Sequence, residues 1–549
     1  MENIYGSFSA TPEYTRSFNG SDIAECLFGS NPCNNSSCSG RSITISGSQV
    51  AGRGVNDWLA DYFYLPTDFK SSLHFNPVVE NALVDMSAYI GFDRWVNGLF
   101  FRINAPLTWT RWNLNFHEKI LQEGSNPYDA GYFAPTPIGR AALLKSFSSY
   151  AAGDAIADLQ SSNTANQPTF DGLHFAHIGC SQSALKLSDV QMVFGWNFAN
   201  CHDYHMGAGL RVAAPTGSRV EGAHLFEPIV GNGKHWEAGA HITTHVNLWE
   251  NEDEDYALGF YADANITHLF RTRQTRTFDL KNKPMSRYML AQKMGTPIID
   301  NLVGGTPHVT PIAQFQNEFA PIANISTQDV MVHVAVQVDL AAQLTYSHNG
   351  ITWDLGYNFW MRSCEQVRSL CTSAGCNFVE FEESWAIKGD ADVFGFASNQ
   401  AVGLSATQSE ATINTGKNYP ATNNTGIDSP QPAFAGDPAV PLHISPSVGT
   451  QTNTSIQPIM ITANDLDIVG TRGNSNKAYT HLSYSWLENE NLIPYLGIGM
   501  FAEFGNNHLK CNTSKICTKI ASCLNECQTN CGTCSLSQWG VWAKGGFSF

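Results

Sequence analysis

Residues 330–359 read VMVHVAVQVDLAAQLTYSHNGITWDLGYNF, and they decide the fold. Apolar side chains recur at every second position: Val330, Val332, Val334, Val336, Val338, Leu340, Ala342, Leu344 and Tyr346. Between them stand His333, Gln337, Asp339, Gln343 and Thr345. A period of two marks a β-strand with one apolar and one polar face. Asn349-Gly350 then supplies the positive φ angles of a tight hairpin. The return strand repeats the alternation with Ile351, Trp353, Leu355, Tyr357 and Phe359. Nine steps of alternation exceed the ~5–6 residues of an ordinary globular strand. The apolar set Val332, Val334, Val336, Ile351, Trp353 and Leu355 is therefore expected to face lipid.

The same pattern appears on both sides of this hairpin. Taken as strands, residues 83–92, 98–110, 187–198, 204–214, 235–248, 256–270, 328–346, 351–362, 479–486, 493–504 and 536–549 leave connections that alternate in length without exception. One is seven residues or fewer and the next is twenty or more. Short turns on one side and long loops on the other define an outer-membrane barrel. The first of these strands needs a partner running up before it, and Ile4–Ala10 is the candidate. The expected fold is all-β: a closed antiparallel transmembrane barrel of about 12 strands. Fourteen result if Phe378–Ile387 and Ile456–Ile461 form a further hairpin. A soluble sandwich or propeller also alternates, but it does not need strands this long, and no blade repeat is present. Trp95, Trp109, Trp112, Trp236, Trp249, Tyr256, Trp353, Trp360, Trp486 and Trp542 stand near strand ends, as interfacial girdles require.

Composition agrees. Of 549 residues only 14% are charged, with 31 Lys+Arg against 48 Asp+Glu and a net charge of −17. Aromatics reach 11%, the reverse of a disordered chain. An acidic chain is repelled by phosphate polymers, so nucleic acid is no partner. No apolar run is long enough for a transmembrane helix. The start, MENIY, lacks a basic and apolar leader, so the chain reads as a mature exported form without its signal peptide.

The long loops run about 19–82, 111–186, 215–234, 271–327, 363–478 and 505–535, roughly two-thirds of the chain. They are expected to form an extracellular cap or plug on a single barrel spanning 1–549, with helices at Val55–Phe63, Ile138–Leu159 and Met285–Met294. Residues 398–449 are rich in turn formers and read as irregular. Thirteen of the 14 cysteines lie in these loops: Cys26, Cys33, Cys38, Cys180, Cys364, Cys371, Cys376, Cys511, Cys517, Cys523, Cys527, Cys531 and Cys534. Thiols confined to the oxidising side point to disulfides within or between loops, or to neighbouring molecules in a homo-oligomer. Zinc is disfavoured, because Cys531-x-x-Cys534 has no second such pair and no histidine in its segment. Cys201-His-Asp-Tyr-His205 offers metal ligands, but in a tight turn.

No nucleophile elbow, phosphate loop or HExxH motif is present, so neither an enzyme nor a cofactor is expected. The chemistry lies on the polar faces of the strands. Arg102, Arg211, Glu237, His241, His245, Asp263, His333, Asp339, Asp354 and Glu503 are the candidate pore-lining residues. Mixed charge around a narrow lumen suits passage of small polar solutes; interior ion pairs that plug the barrel are the alternative.

The stretches LFEPIVGNGKHW (225–236), ADANITHLFR (262–271) and WDLGYNFW (353–360) resemble outer-membrane barrel proteins of intracellular bacteria. In cysteine use the chain is similar to the chlamydial major outer membrane protein, a porin of a disulfide-linked envelope. The resemblance implies an architecture and transfers no functional residue. The expectation is a porin-like channel of the bacterial outer membrane, in contact with its lipid, or a surface structural or adhesive protein that uses the barrel only as an anchor.

Overall fold

The computed structural model describes residues 5–29, 41–128, 133, 137–156, 168–179, 181–201, 203–251, 256–295, 299–303, 306–309, 314–369, 385–388, 394–397, 400–403, 411–415, 460–488, 492–506 and 532–549. Twelve antiparallel strands close into a barrel. They are β1 (Tyr5–Ser17), β2 (Val78–Gly91), β3 (Leu99–Asn113), β4 (Val190–Asn200), β5 (Tyr204–Ala214) and β6 (Glu237–Glu250). The others are β7 (Tyr256–Thr277), β8 (Thr327–His348), β9 (Ile351–Arg362), β10 (Thr471–Ser485), β11 (Ile493–Gly505) and β12 (Gln538–Ser548). Two contacts join chain ends and middle into a ring: β1 pairs with β12, Phe8 opposite Phe547, and β3 pairs with β4, Arg102 opposite Val193. Closure leaves no strand edge in lipid, where an unpaired backbone group costs several kcal/mol. The β8–β9 hairpin turns at Asn349 and Gly350, with φ of 47° and 80°.

The barrel wall is apolar on its outside. Leu210, Ile498 and Met500 are 59%, 65% and 60% exposed, and Phe194, Trp196, Leu355 and Leu482 stand beside them on the same face. Such a surface in water would drive aggregation; in a bilayer it is the contact surface. Among the described residues no helix is long and apolar enough to cross a membrane.

The long loops build a cap with a core of its own. Trp58, Phe63, Phe147, Tyr150, Phe170, Tyr288 and Phe319 are buried, Phe63 and Phe147 meeting edge to face at 5.0 Å. Two four-stranded sheets frame this core, one of Ser42–Ser46, Trp58–Leu59, Lys70–His74 and His117–Gln122. The other holds Leu290–Gly295 between Gln314–Pro321 and Trp385–Ile387. Helix α1 (Gly20–Phe28) starts at Asn19, whose side chain accepts from the Ser21 N–H; α2 (Phe147–Ala152) starts at Ser146 in the same manner.

Several expectations are corrected here. Trp385–Ile387 and Met460 join the cap sheet, where Ala386 bridges Met460, so they add no barrel hairpin. Val55–Phe63 is a short strand followed by a 3-10 turn, Ala60–Phe63. Of Ile138–Leu159 only α2 and the turn Arg140–Ala142 are helical among the described residues. Met285–Met294 holds one 3-10 turn, Ser286–Tyr288, before strand Leu290–Gly295 begins. Sheet pairing overrides a weak helical period at Trp58–Leu59 and at Leu290–Gly295. Residues 398–449 lie largely outside the described residues.

The largest correction concerns β8. Ala335 and Val336 are both exposed, while Val330, Val332 and Val334 are fully buried. The register with β7 slips there, Thr267 pairing with Gln337 but Leu269 with Val334. This is a β-bulge: one extra residue on β8 turns every later side chain to the other face. A second slip follows on β7, between Leu269 and Thr272, and leaves Phe270 and Arg271 both outward. Above the bulges the two strands leave the hydrocarbon, and the face of β8 that carries Val330 and Val332 packs against the cap core. Val332 and Val334 therefore do not face lipid; Val336, Leu340, Leu344 and Tyr346 do.

Candidate functional site: the barrel lumen

Alternation sends one side chain in for each one that faces lipid, and the inward set is polar. Arg102 on β3 reaches Asp263 on β7 at 3.5 Å, four strands away around the ring. Its other terminal nitrogen lies 3.5 Å from His241 Nε2. His241 Nδ1 is 2.9 Å from Asn265 Oδ1, so a proton on Nδ1 donates to Asn265 and leaves Nε2 to accept from Arg102. Asp354 accepts from Thr345 at 2.7 Å and meets His481 at 3.0 Å. Asp339 accepts from Asn358 at 2.6 Å. Glu503 accepts from Ser475 and Gln538, with Lys477 at 3.9 Å. His245 packs against Tyr261, ring centroids 4.3 Å apart, and against His205.

At the long-loop end buried ion pairs form an ionic collar along β5 to β9. Arg211 on β5 pairs with Glu237 on β6 at 3.5 Å, both nearly inaccessible. Glu365, just beyond β9, takes Arg276 from β7 at 2.7 Å and Arg362 from β9 at 2.5 Å. Burial raises the Glu365 carboxyl, but the two guanidiniums outweigh it and hold it down at about 2. Through Glu365 the part of β7 above the bulges, which borders the cap, is fastened to the end of β9, and removing either partner leaves a buried charge.

Below the collar the inner wall is kept thin by aromatic rings lying against glycines. A Cβ on Gly356 would stand 2.1 Å from Tyr479 Cζ, and one on Gly499 would stand 2.3 Å from Trp542 Cζ2. The missing side chain lets each ring lie along the wall instead of projecting into the lumen.

The structure brings nine of the ten candidate positions to the inner face and removes the tenth. His333 lies above the β8 bulge, between the buried Val332 and Val334, and points outward near His268, ring centroids 6.3 Å apart. Sequence reading missed Glu13, Asp85, Lys477, His481 and Lys544, which are also inward. Their strands carry small residues at the alternate positions, and Pro12 interrupts β1, so the period was weak. Pairing with a well-marked neighbour, such as Glu13 opposite Trp542, was the available signal.

Of the cysteines, Cys26 in α1 is bonded to Cys534 just before β12, and Cys364 is also disulfide-bonded. The first of these bonds joins the loops that leave β1 and enter β12, which are neighbours in the wall. Cys201 is exposed and free in its short turn. Cys33, Cys38, Cys180, Cys371, Cys376, Cys511, Cys517, Cys523, Cys527 and Cys531 lie outside the described residues. Among the described residues no cluster of three or more His, Cys, Asp or Glu could hold a metal ion.

No family model matches the chain. No curated protein matches it either. Several solved structures align with nearly its whole length. An outer membrane channel from Pseudomonas putida F1 is 7% identical with a TM-score of 0.30, over 99% of this chain and 96% of that one. A Pseudomonas aeruginosa FadL homologue is 7% identical with a TM-score of 0.26, over 100% and 90%. The toluene transporter of Ralstonia pickettii is 8% identical with a TM-score of 0.21, over 100% and 89%. These likenesses are too distant to carry any residue's role across.

Proposed function

We propose that the protein is an outer-membrane channel for passive diffusion of small polar solutes. One observation carries this reading. The side chains of Arg102 and Asp263 point inward, yet they keep 31% and 39% of their surface accessible. Water that reaches them stands inside the barrel, whereas the collar pair Arg211–Glu237 is sealed at 10% and 4%. Charges of both signs in a hydrated tube can replace part of a solute's water shell without binding it tightly, which is what passage requires. The Cys26–Cys534 bond supports a cap held by disulfides.

The cap favours a second reading, a surface protein anchored by its barrel, because the long loops build a buried aromatic core of their own. Liposome swelling separates the two. Vesicles carrying the folded protein should swell when an impermeant osmolyte is replaced by a small sugar, and the rate should rise when cap disulfides are reduced. No swelling under either condition, with the barrel folded, would leave only the anchor.

A further inference from the structure

The outward face of the barrel is apolar until its long-loop end, and there it changes to arginine. On β1, β2 and β3 the outward residues Tyr14, Ala82 and Trp109 are followed, two positions on, by Arg16, Glu80 and Arg111. These three stand in one cross-strand row, Glu80 opposite both arginines. Glu80 holds Arg16 at 3.5 Å and Arg111 at 2.5 Å, while the two arginine side chains stay 48% and 45% accessible. A second row lies on the opposite side of the ring. Directly beyond the outward Phe270 come Arg271 and Arg273, and Arg273 and Arg368 flank Met331 in register. Arg273 pairs with Asp329, and among the described residues no carboxylate pairs with Arg271 or Arg368. Each row thus holds more cations than carboxylates in a chain whose net charge is −17.

The depth of these rows is informative. Two residues of a tilted strand rise about 5–7 Å, which is the thickness of a headgroup layer beyond the hydrocarbon. At the opposite end the outer rim is acidic among the described residues, with Asp93, Asp203, Glu250 and Glu488 against Arg94. The charge is therefore not a general solvated surface but a difference between the two leaflets.

We infer that the two arginine rows bind the phosphate groups of anionic lipid headgroups in the leaflet on the long-loop side. A guanidinium offers a planar pair of donors that matches a phosphate, and each glutamate or aspartate in the rows fixes a guanidinium without using all its N–H groups. Binding at the headgroup level also anchors the cap rim against tilting, since the rows lie on opposite sides of the barrel.

The test is a native mass spectrometry titration of the intact, detergent-solubilised protein. The probes are diphosphoryl lipid A, the same glycolipid without phosphates, and inorganic phosphate as competitor. The wild type should retain the diphosphoryl form and not the phosphate-free form. Arg16→Gln with Arg111→Gln, and Arg271→Gln with Arg273→Gln and Arg368→Gln, should each weaken retention by roughly fivefold per arginine removed. Arg94→Gln, at the other end, should leave it unchanged. Lysine variants of the same positions keep the charge and should lose less, so the result stands even if a glutamine set fails to fold. Equal retention of the phosphate-free lipid, unaltered retention by both variant sets, or displacement by inorganic phosphate at the concentration where the lipid itself binds would overturn the inference.

Discussion

The barrel and the cap place their large apolar side chains in opposite directions. In the wall Ile498, Met500 and Leu210 are turned outward and left more than half exposed, while Arg102, Asp263 and Asp354 are turned in. In the cap Phe63, Phe147 and Phe319 are fully buried, and Asp61, a charge buried beside them, is hydrogen-bonded by the Ser48 N–H and hydroxyl. One chain is thus folded against two solvents. The boundary runs through single strands: along β8 the even-numbered residues face lipid from Val336 to Tyr346 and face the cap interior from Val330 to Val334. The lesson is that alternation reveals two faces and does not say which solvent each one meets.

The contrast can be broken most forcefully in the cap. Phe147 packs on Phe63 and Trp58 with no exposure. Phe147→Ala should cost about 3–5 kcal/mol. The loss should appear as protease-sensitive cap loops above a barrel that keeps its folded gel mobility; loss of barrel and cap together would show that they are one cooperative unit.

Next in size is the collar. A carboxyl held at about 2 instead of its ordinary 4.5 stabilises the folded state at pH values above 4.5, and that stability is lost as pH falls towards 2. For Glu365 the whole effect is on the order of 3 kcal/mol. Glu365→Gln should remove it, flattening the acid limb of a denaturation profile; an unchanged profile would mean that Glu365 does not fasten β7 to β9.

In the wall, Leu340→Arg places a charge in lipid and should cost ~2–4 kcal/mol in a folding titration into bilayers. The bulge can be tested directly beside it. A fluorophore on Leu340→Cys should be quenched by lipids with brominated chains, and one on Val334→Cys should not. Quenching at both sites would restore uninterrupted alternation and remove the bulge.

Much of this was readable in the sequence, for physical reasons. Hairpin 336–359 shows its period because lipid demands an apolar residue at every outward position and the lumen permits polar ones. The bulges at Ala335–Val336 and Phe270–Arg271 were not readable, because the alternation continues on both sides of them and only the face changes. The cap was misread wherever tertiary pairing decided between helix and strand, as at Leu290–Gly295. Helix α1 carried an Asn19 cap and Asp22 in its first turn, but is too short for its period to stand out. In the lumen Arg102 and Asp263 followed from parity, whereas their contact across four strands depends on barrel radius and shear, which no local pattern encodes.

The smallest expected effect addresses the central claim, that the lumen is a water-filled path lined by these charges. With the sealed pair Arg211–Glu237 set aside, the inward acids are Glu13, Asp85, Asp263, Asp339, Asp354 and Glu503, against Arg102, Lys477 and Lys544, so the path should mildly favour cations. The decisive measurement is single-channel current in a planar bilayer with a salt gradient. The account predicts discrete ohmic openings and a reversal potential displaced towards cation selectivity, reduced in the double variant Asp339→Asn with Asp354→Asn. Anion preference, or silence from a folded barrel even after its cap disulfides are reduced, would contradict it.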